Sequence, residues 1–360
     1  MLTQILFEAL RSALWGIPFN RQISAEEFLN VMAVAEQQTV TALVFDTLSR
    51  QKVGIEKKVV LNYTNKLSRI HRKNQLFNAT LQEFARRCEQ HHISYIVMKG
   101  QTVGGLYPVP TLRIPGDIDF LIKDEYETCK RQIELAFGVK LPQVIMEKEI
   151  SYTWNNVLFE LHDTLLVFGS KKNMDYWRQL TDEAWEESCH VMIDNTRVRT
   201  LPPTLNAVYL FLHLFFHLIR EGVALRQLCD WAVFLKAYSN DIDRRKLAQI
   251  IEQLDIEKAF LAFGYILIND LGLAPAAFPL KVSQEDAAWR TKILSDIFKG
   301  GNFGKKNHHT KNSLLFKLET TKIAIKNSFR YHALAPTETK MLIPRLLRRN
   351  IQLIKTGRLR

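Results

Sequence analysis

The chain has 360 residues, 47% hydrophobic and 24% charged, with 15 glycines and 11 prolines. This composition excludes a disordered, collagenous or low-complexity protein and is long enough for a sizeable core. The formal charge of +12 favours an anionic partner without choosing among nucleotides, nucleic acid and a lipid surface.

In chain order, residues 1 to 92 carry apolar residues at three- and four-residue spacing, which predicts a helical scaffold. The opening MLTQILFEALRSALWG contains Glu8 and no small-residue cleavage site, which argues against a secretory signal. Ser24 and Glu27 ahead of Phe28 form a capping-box signal. The stretch from Lys57 to Glu89 predicts one long helix, with Leu61, Leu67, Ile70, Leu76, Leu81 and Phe84 on its buried stripe.

The texture changes over residues 93 to 200, which read as an α/β core. ISYIVM predicts a strand ending at Lys99 and Gly100, and Gln101 to Tyr107 a short helix stopped by Pro108 and Pro110. DIDFLI predicts a second strand, and DEYETCKRQIELAFG a helix closed by Gly138. EISYTW and VLFELHDTL, flanking Asn155 and Asn156, predict a hairpin.

Residues 201 to 360 return to a helical pattern after Pro202 and Pro203. The longest apolar run, Val208 to Ile219, is too short to span a bilayer, so an integral membrane protein is not expected. GGNFGKKNHHTKN reads as a loop that could serve as a lid. The stretch from Met341 to Arg360 is a basic tail without an acidic residue, in which Leu342, Ile343 and Leu346 interleave with arginines. It reads as a solvated helix end, or else as a docking surface for nucleic acid or an anionic membrane. Cys88, Cys129, Cys189 and Cys229 lie far apart, with no CxxC pair and no finger spacing, which fits reduced thiols in a cytoplasmic protein.

The chemistry concentrates between Lys99 and His162. Side chains alternate along a strand, so Asp117 and Asp119 share one face of DIDFLI while Ile118, Phe120 and Ile122 take the other. Two carboxylates that close repel unless a cation sits between them, and their oxygens suit Mg²⁺ or Mn²⁺. In VLFELH, Glu160 and His162 share a face opposite Val157, Phe159 and Leu161, so Glu160 can supply a third carboxylate if that strand lies beside the first. Gly100 and Gly116 allow close backbone approach to phosphate, and Lys99 and Arg113 are the nearest cations for a triphosphate.

The run MKGQTVGGLYPVPTLRIPGDIDFLI, then FELH, then HLFFHLIREGVALRQLCDWA, resembles the uncharacterised nucleotidyltransferase family within the DNA polymerase beta-like superfamily, over about residues 1 to 235. The resemblance implies an α+β fold, with a small mixed-sheet core between helical N-terminal and C-terminal regions. It also implies two divalent ions, and transfer of a nucleoside monophosphate from an NTP, ATP foremost, to a hydroxyl acceptor with release of pyrophosphate. Asp117 and Asp119 match the paired aspartates, and Glu160 the third acid by strand position. Lys99-Gly100 stands for the superfamily's Gly-Ser turn, and Gly116 for a serine often found before the first aspartate.

Other residues carry softer expectations. His162 is either a substrate contact or a surface partner of Glu160. His213 and His217, four apart on a helix, read first as core histidines, then as substrate contacts, and last as metal ligands. Arg226 and Asp230, also four apart, read as a helix-stabilising pair that could line the cleft. Two rival classes remain: a catalytically silent nucleotide-binding module, and a nucleic-acid-binding protein acting through its basic tail.

Overall fold

The structure, a computed structural model, describes residues 1–51, 53–141, 149–301 and 313–355, without the side chains of residues 126, 149, 313–320 and 346–355. The expected lid loop therefore lies almost entirely outside the described residues, as do most side chains of the basic tail.

Three helices, α1 (Leu2–Trp15), α2 (Ala25–Gln37) and α3 (Thr41–Leu48), lead into α4 (Lys57–Gln90). At the head of α2 the Ser24 hydroxyl accepts from the Glu27 amide at 3.1 Å while the Glu27 carboxylate accepts from the Ser24 amide at 2.9 Å, the reciprocal cap its sequence predicts. The long helix α4 also forms as expected, and of the expected stripe Leu81 and Phe84 are buried, but the buried line departs from it at Leu61 and Leu76. Tyr63, Asn74, Phe77, Leu81, Phe84 and Cys88 face inward, whereas Leu61 and Leu76 are exposed. Phe77, one position from Leu76, sets the phase because it falls in step with Leu81, Phe84 and Cys88 at three- and four-residue intervals.

The mixed sheet contains β1 (Tyr95–Val97), β2 (Ile118–Ile122), β3 (Glu149–Trp154), β4 (Val157–His162), β5 (Cys189–Ile193) and β6 (Thr196–Thr200), in the order β3-β4-β2-β1-β6-β5. β1 runs antiparallel to β2 and β2 parallel to β4. The β3–β4 hairpin turns through Asn155 and Asn156 at φ 49° and 60°, left-handed values that asparagine tolerates better than most residues. The single-turn α5 (Gln101–Gly104) follows β1, and α6 (Tyr126–Phe137) follows β2. The sequence reading passes over α7 (Lys171–Glu187) and the β5–β6 hairpin, although Asp194-Asn195 between Ile193 and Val198 is a turn signal.

One face of the sheet packs Ile118, Phe120, Ile122, Val157, Phe159 and Leu161 against Phe77, Leu81 and Phe84 of α4 and Ile133 and Phe137 of α6. From the other face, Ile96, Met98 and Leu121 join a larger core around α8 (Pro203–Arg220) and α9 (Leu225–Ala237). That core also takes in α1–α3 together with α10 (Arg244–Gln253), α11 (Glu257–Asn269) and α12 (Arg290–Gly300). Arg11 Nε and Trp15 Nε1 bond the carbonyls of Asp270 and Leu271, so the helices before and after the sheet share one interior. α13 (Ser313–Arg330) and α14 (Pro336–Lys355) complete the chain, with Arg345 Nη1 bonded to the Val167 carbonyl. Among the described residues no helix is long and apolar enough to cross a membrane.

Candidate active site

The sheet's antiparallel pairing builds the first half of the site. The Met98 amide bonds the Asp119 carbonyl at 3.0 Å, and the next residue, Lys99, places its Nζ 3.0 Å from Asp119 Oδ2 and 3.8 Å from Asp117 Oδ1. Gly100 then turns the chain at φ 72°, where a Cβ would stand 3.1 Å from the Asp117 carbonyl oxygen. Only glycine gives both that angle and that approach without strain. The helix expected after it shrinks to the single turn α5.

The parallel pairing of β2 with β4 builds the second half, because its register sets Asp119 opposite Glu160. The two strands present these residues, with His162, to the same side, while the intervening apolar residues fill the α4 face. His162 Nε2 lies 3.1 Å from Asp119 Oδ1 and 3.8 Å from Glu160 Oε2. Asp119, Glu160 and His162 each bring a ligand atom within 4.8 Å of the others. Asp117, expected as a ligand with Asp119 and Glu160, falls one residue before β2 and lies beside Lys99 and Asp119 but outside this converging group, in which His162 takes the third place.

Charge in this cluster is strongly polarised. Burial opposes ionisation of Asp119, only 1% exposed, yet Lys99 and His162 hold its carboxyl well below the usual range. Burial and then the Asp119 charge push Asp117 up. Lys99 is desolvated as well, but Asp117 and Asp119 keep its ammonium above the ordinary lysine range.

Helix α8 approaches from the other side. Tyr209 is buried there, its hydroxyl pushed up by desolvation and by the charges of Asp119, Asp117 and Glu160. The Tyr209 and His213 rings meet edge to face, and His213 and His217 lie 4.5 Å apart between centroids. Burial and the neighbouring Lys99 depress both histidines, His217 to about 3, so both are neutral at physiological pH. They border the charged cluster half-buried, rather than sitting sealed in the core as the first expectation had them.

Two sequence expectations are redirected. The fork of Arg113, expected on a triphosphate, is closed on Asp230 instead, with Nε to Oδ1 at 2.7 Å and Nη2 to Oδ2 at 2.8 Å, both residues buried. Tyr107 adds its hydroxyl to Asp230 Oδ1 at 2.7 Å. Arg226 therefore does not bond Asp230 as its helix spacing suggests; its Nη1 donates to the Ile114 carbonyl at 2.8 Å and lies against Gly116. Lys73, Asn74 and Tyr209 escape the sequence reading. Asn74, buried on α4, donates to the carbonyls of Thr111 and Arg113 and so anchors the loop that leads to Gly116. No local motif marks these three, because α4 and α8 are remote in sequence from the strands they serve.

The donor set fits a divalent cation. Two carboxylates and an imidazole converge closely enough for one ion to span them, and the nitrogen donor suits Mn²⁺ better than Mg²⁺. The ammonium of Lys99 beside Asp119 shows that the cluster retains positive charge.

No curated protein matches the chain. Among solved structures it is similar to an antigenic nucleotidyltransferase-like protein from Paracoccidioides brasiliensis, at 15% identity and a TM-score of 0.33, over 56% of this chain and 95% of that one. The profile of the uncharacterised nucleotidyltransferases matches residues 24–269, well over half of the 360 and inclusive of every residue placed above in the site; the chain belongs to that family.

Proposed function

We propose that the protein moves a nucleoside monophosphate from an NTP to a hydroxyl acceptor, releasing pyrophosphate, with a divalent cation held by Asp119, Glu160 and His162. The observation that carries this reading is the β2–β4 register, which sets Asp119 beside Glu160 with His162 next to both. Asp117, beside Asp119 and more exposed, is the fourth contributor and faces the incoming phosphates. A bound Mg²⁺ or Mn²⁺ would neutralise phosphate charge and lower the pKa of the attacking hydroxyl. Glu160 is placed to orient that hydroxyl, and the neutral His213 to accept a hydrogen bond from the acceptor. Lys99 restrains both aspartates and can turn to a phosphate oxygen on substrate arrival. Positioning and charge neutralisation account for most of the catalysis, with no covalent intermediate. ATP is the first NTP to test, and the four free cysteines support a cytoplasmic location.

The test incubates the protein with α-labelled NTPs, Mn²⁺ or Mg²⁺ and cell extract. The expected outcome is a labelled product that disappears with chelator, with Asp119→Asn and with Glu160→Gln. Label transfer that survives these substitutions removes the cluster from the mechanism.

One observation favours a second reading. Lys99 already neutralises Asp119 at 3.0 Å, which suits a module that binds nucleotide without turnover. Retained ATP affinity without label transfer in any extract would select it.

A further inference from the structure

Between α4 and α9 stand two cations that no carboxylate pairs directly among the described residues. Because Arg113 and Tyr107 occupy Asp230, Arg226 has no ion-pair partner among the described residues. Its Nη1 holds the Ile114 carbonyl, and its Nε is buried without an acceptor. Across the same strap of chain, the exposed Lys73 donates its Nζ to the Pro115 carbonyl at 2.9 Å and likewise has no carboxylate within ion-pair distance among the described residues. These two carbonyls immediately precede Gly116, which is exposed and would place a Cβ only 3.4 Å from Arg226 Nη1.

A carbonyl dipole does not discharge an ammonium or a guanidinium. Burial and a neighbouring cation work against each charge, Arg226 on Lys73 and Arg113 on Arg226, while Asp117 favours both charges and Asp230 that of Arg226, without a direct ion pair. Each cation keeps spare donors, two hydrogens on the Lys73 ammonium and the Nη2 group of Arg226. An anion with several oxygens would accept these donors and relieve the repulsion, and the bare backbone at Gly116 lets it approach closely.

We propose that Lys73, Arg226 and the exposed backbone at Gly116 form the polyphosphate subsite of the nucleotide, one residue from Asp117 at the reacting end. This assignment rests on the nucleotidyl-transfer reading and gives the leaving pyrophosphate its place. It replaces Arg113, which is closed on Asp230, as the arginine that meets the phosphates.

The experiment is calorimetric titration of the full chain in magnesium buffer with ATP, AMP and inorganic tripolyphosphate. Wild type is compared with Lys73→Ala, Arg226→Gln and Arg226→Lys, and the melting temperature of each is recorded. Losing charge-assisted bonds should weaken ATP and tripolyphosphate roughly 10- to 100-fold in Arg226→Gln and several-fold in Lys73→Ala. AMP affinity should stay unchanged, and Arg226→Lys should recover part of the loss. Equal losses for ATP and AMP, or unchanged ATP affinity in the folded variants, overturn the assignment. Should Arg226→Gln fail to fold, Lys73→Ala decides alone, since its side chain lies at the surface. Tripolyphosphate binding that depends on both cations, without nucleotide binding, sinks the nucleotidyl-transfer reading and leaves the anion subsite standing. ATP binding indifferent to both cations does the reverse, and binding of neither probe overturns both.

Discussion

The segment from Lys99 to Asp119 contributes to two buried charge clusters, its two ends to one and Tyr107 and Arg113 from its middle to the other, and they are built to different rules. Around Asp230, acid and base match: Arg113 closes both oxygens and Tyr107 adds a third hydrogen bond. Burial opposes the Asp230 charge, but these partners hold its carboxyl below the usual range. Around Asp119, acids outnumber what Lys99 can neutralise: Glu160 converges on Asp119 from β4, Asp117 lies beside it in sequence, and burial together with the Asp119 charge pushes the Asp117 carboxyl up. A closed pair fixes the fold, whereas an unbalanced one stores demand for a charged ligand.

Substitutions can break that contrast. The largest expected effect is on stability at the closed pair: Arg113→Ala strands a buried carboxylate and should cost about 3–5 kcal/mol, read as a shifted urea midpoint. Comparable stability in Arg113→Ala and wild type would show that the pair is not structural. At the open cluster, Asp119→Asn removes the carboxylate that Lys99 and His162 answer but leaves Lys99 beside Asp117, so the midpoint should fall by less than in Arg113→Ala while label transfer drops about 10²–10³-fold. A collapse of folding there would erase the distinction.

Acid titration sharpens the contrast further. His213 and His217 have folded pKa values below the unfolded value, so the unfolded chain takes up protons that the folded one refuses. The stability they contribute is complete above about pH 6.5 and declines as pH falls toward about 3. Urea midpoints at pH 7.5 and pH 5 should therefore diverge in wild type and converge in His217→Gln. The smallest effect is expected at Asp117, whose ionised form is disfavoured in the fold. Asp117→Asn should stabilise the fold by about 1 kcal/mol or less, read as a slightly higher melting temperature, while weakening transfer. A lower melting temperature would mean that its contact with Lys99 outweighs the repulsion from Asp119.

Much of the strand chemistry is legible in the sequence, because strand alternation depends on nothing beyond the strand itself. Ile118, Phe120 and Ile122 against Asp119, and Phe159 and Leu161 against Glu160 and His162, could be sorted by face from their spacing. The family resemblance, read over about residues 1 to 235, is matched over residues 24–269, starting later and ending further on. What stays hidden is partner choice at long range. Asp230 has an arginine four residues away on its own helix, yet it bonds Arg113, which lies 117 residues away in the chain. Lys73 and Tyr209 sit on helices with no local mark of function, and Leu76 and Phe77 compete for one helix face on nearly equal terms. The β5–β6 hairpin carries its turn residues in plain view, but Arg197 and Arg199 interrupt the apolar pattern that would have made it stand out.

The parallel pairing of β2 and β4 makes the hydrocarbon side of the sheet the keeper of the alignment of Asp119, Glu160 and His162. A slip of one residue would set Phe159 or Leu161 against Asp119 and drive Glu160 into the packed rings beneath α4. A single inserted residue between Asn156 and Glu160 should be far more damaging than a longer insertion at an exposed loop tip, although neither alters any acidic side chain.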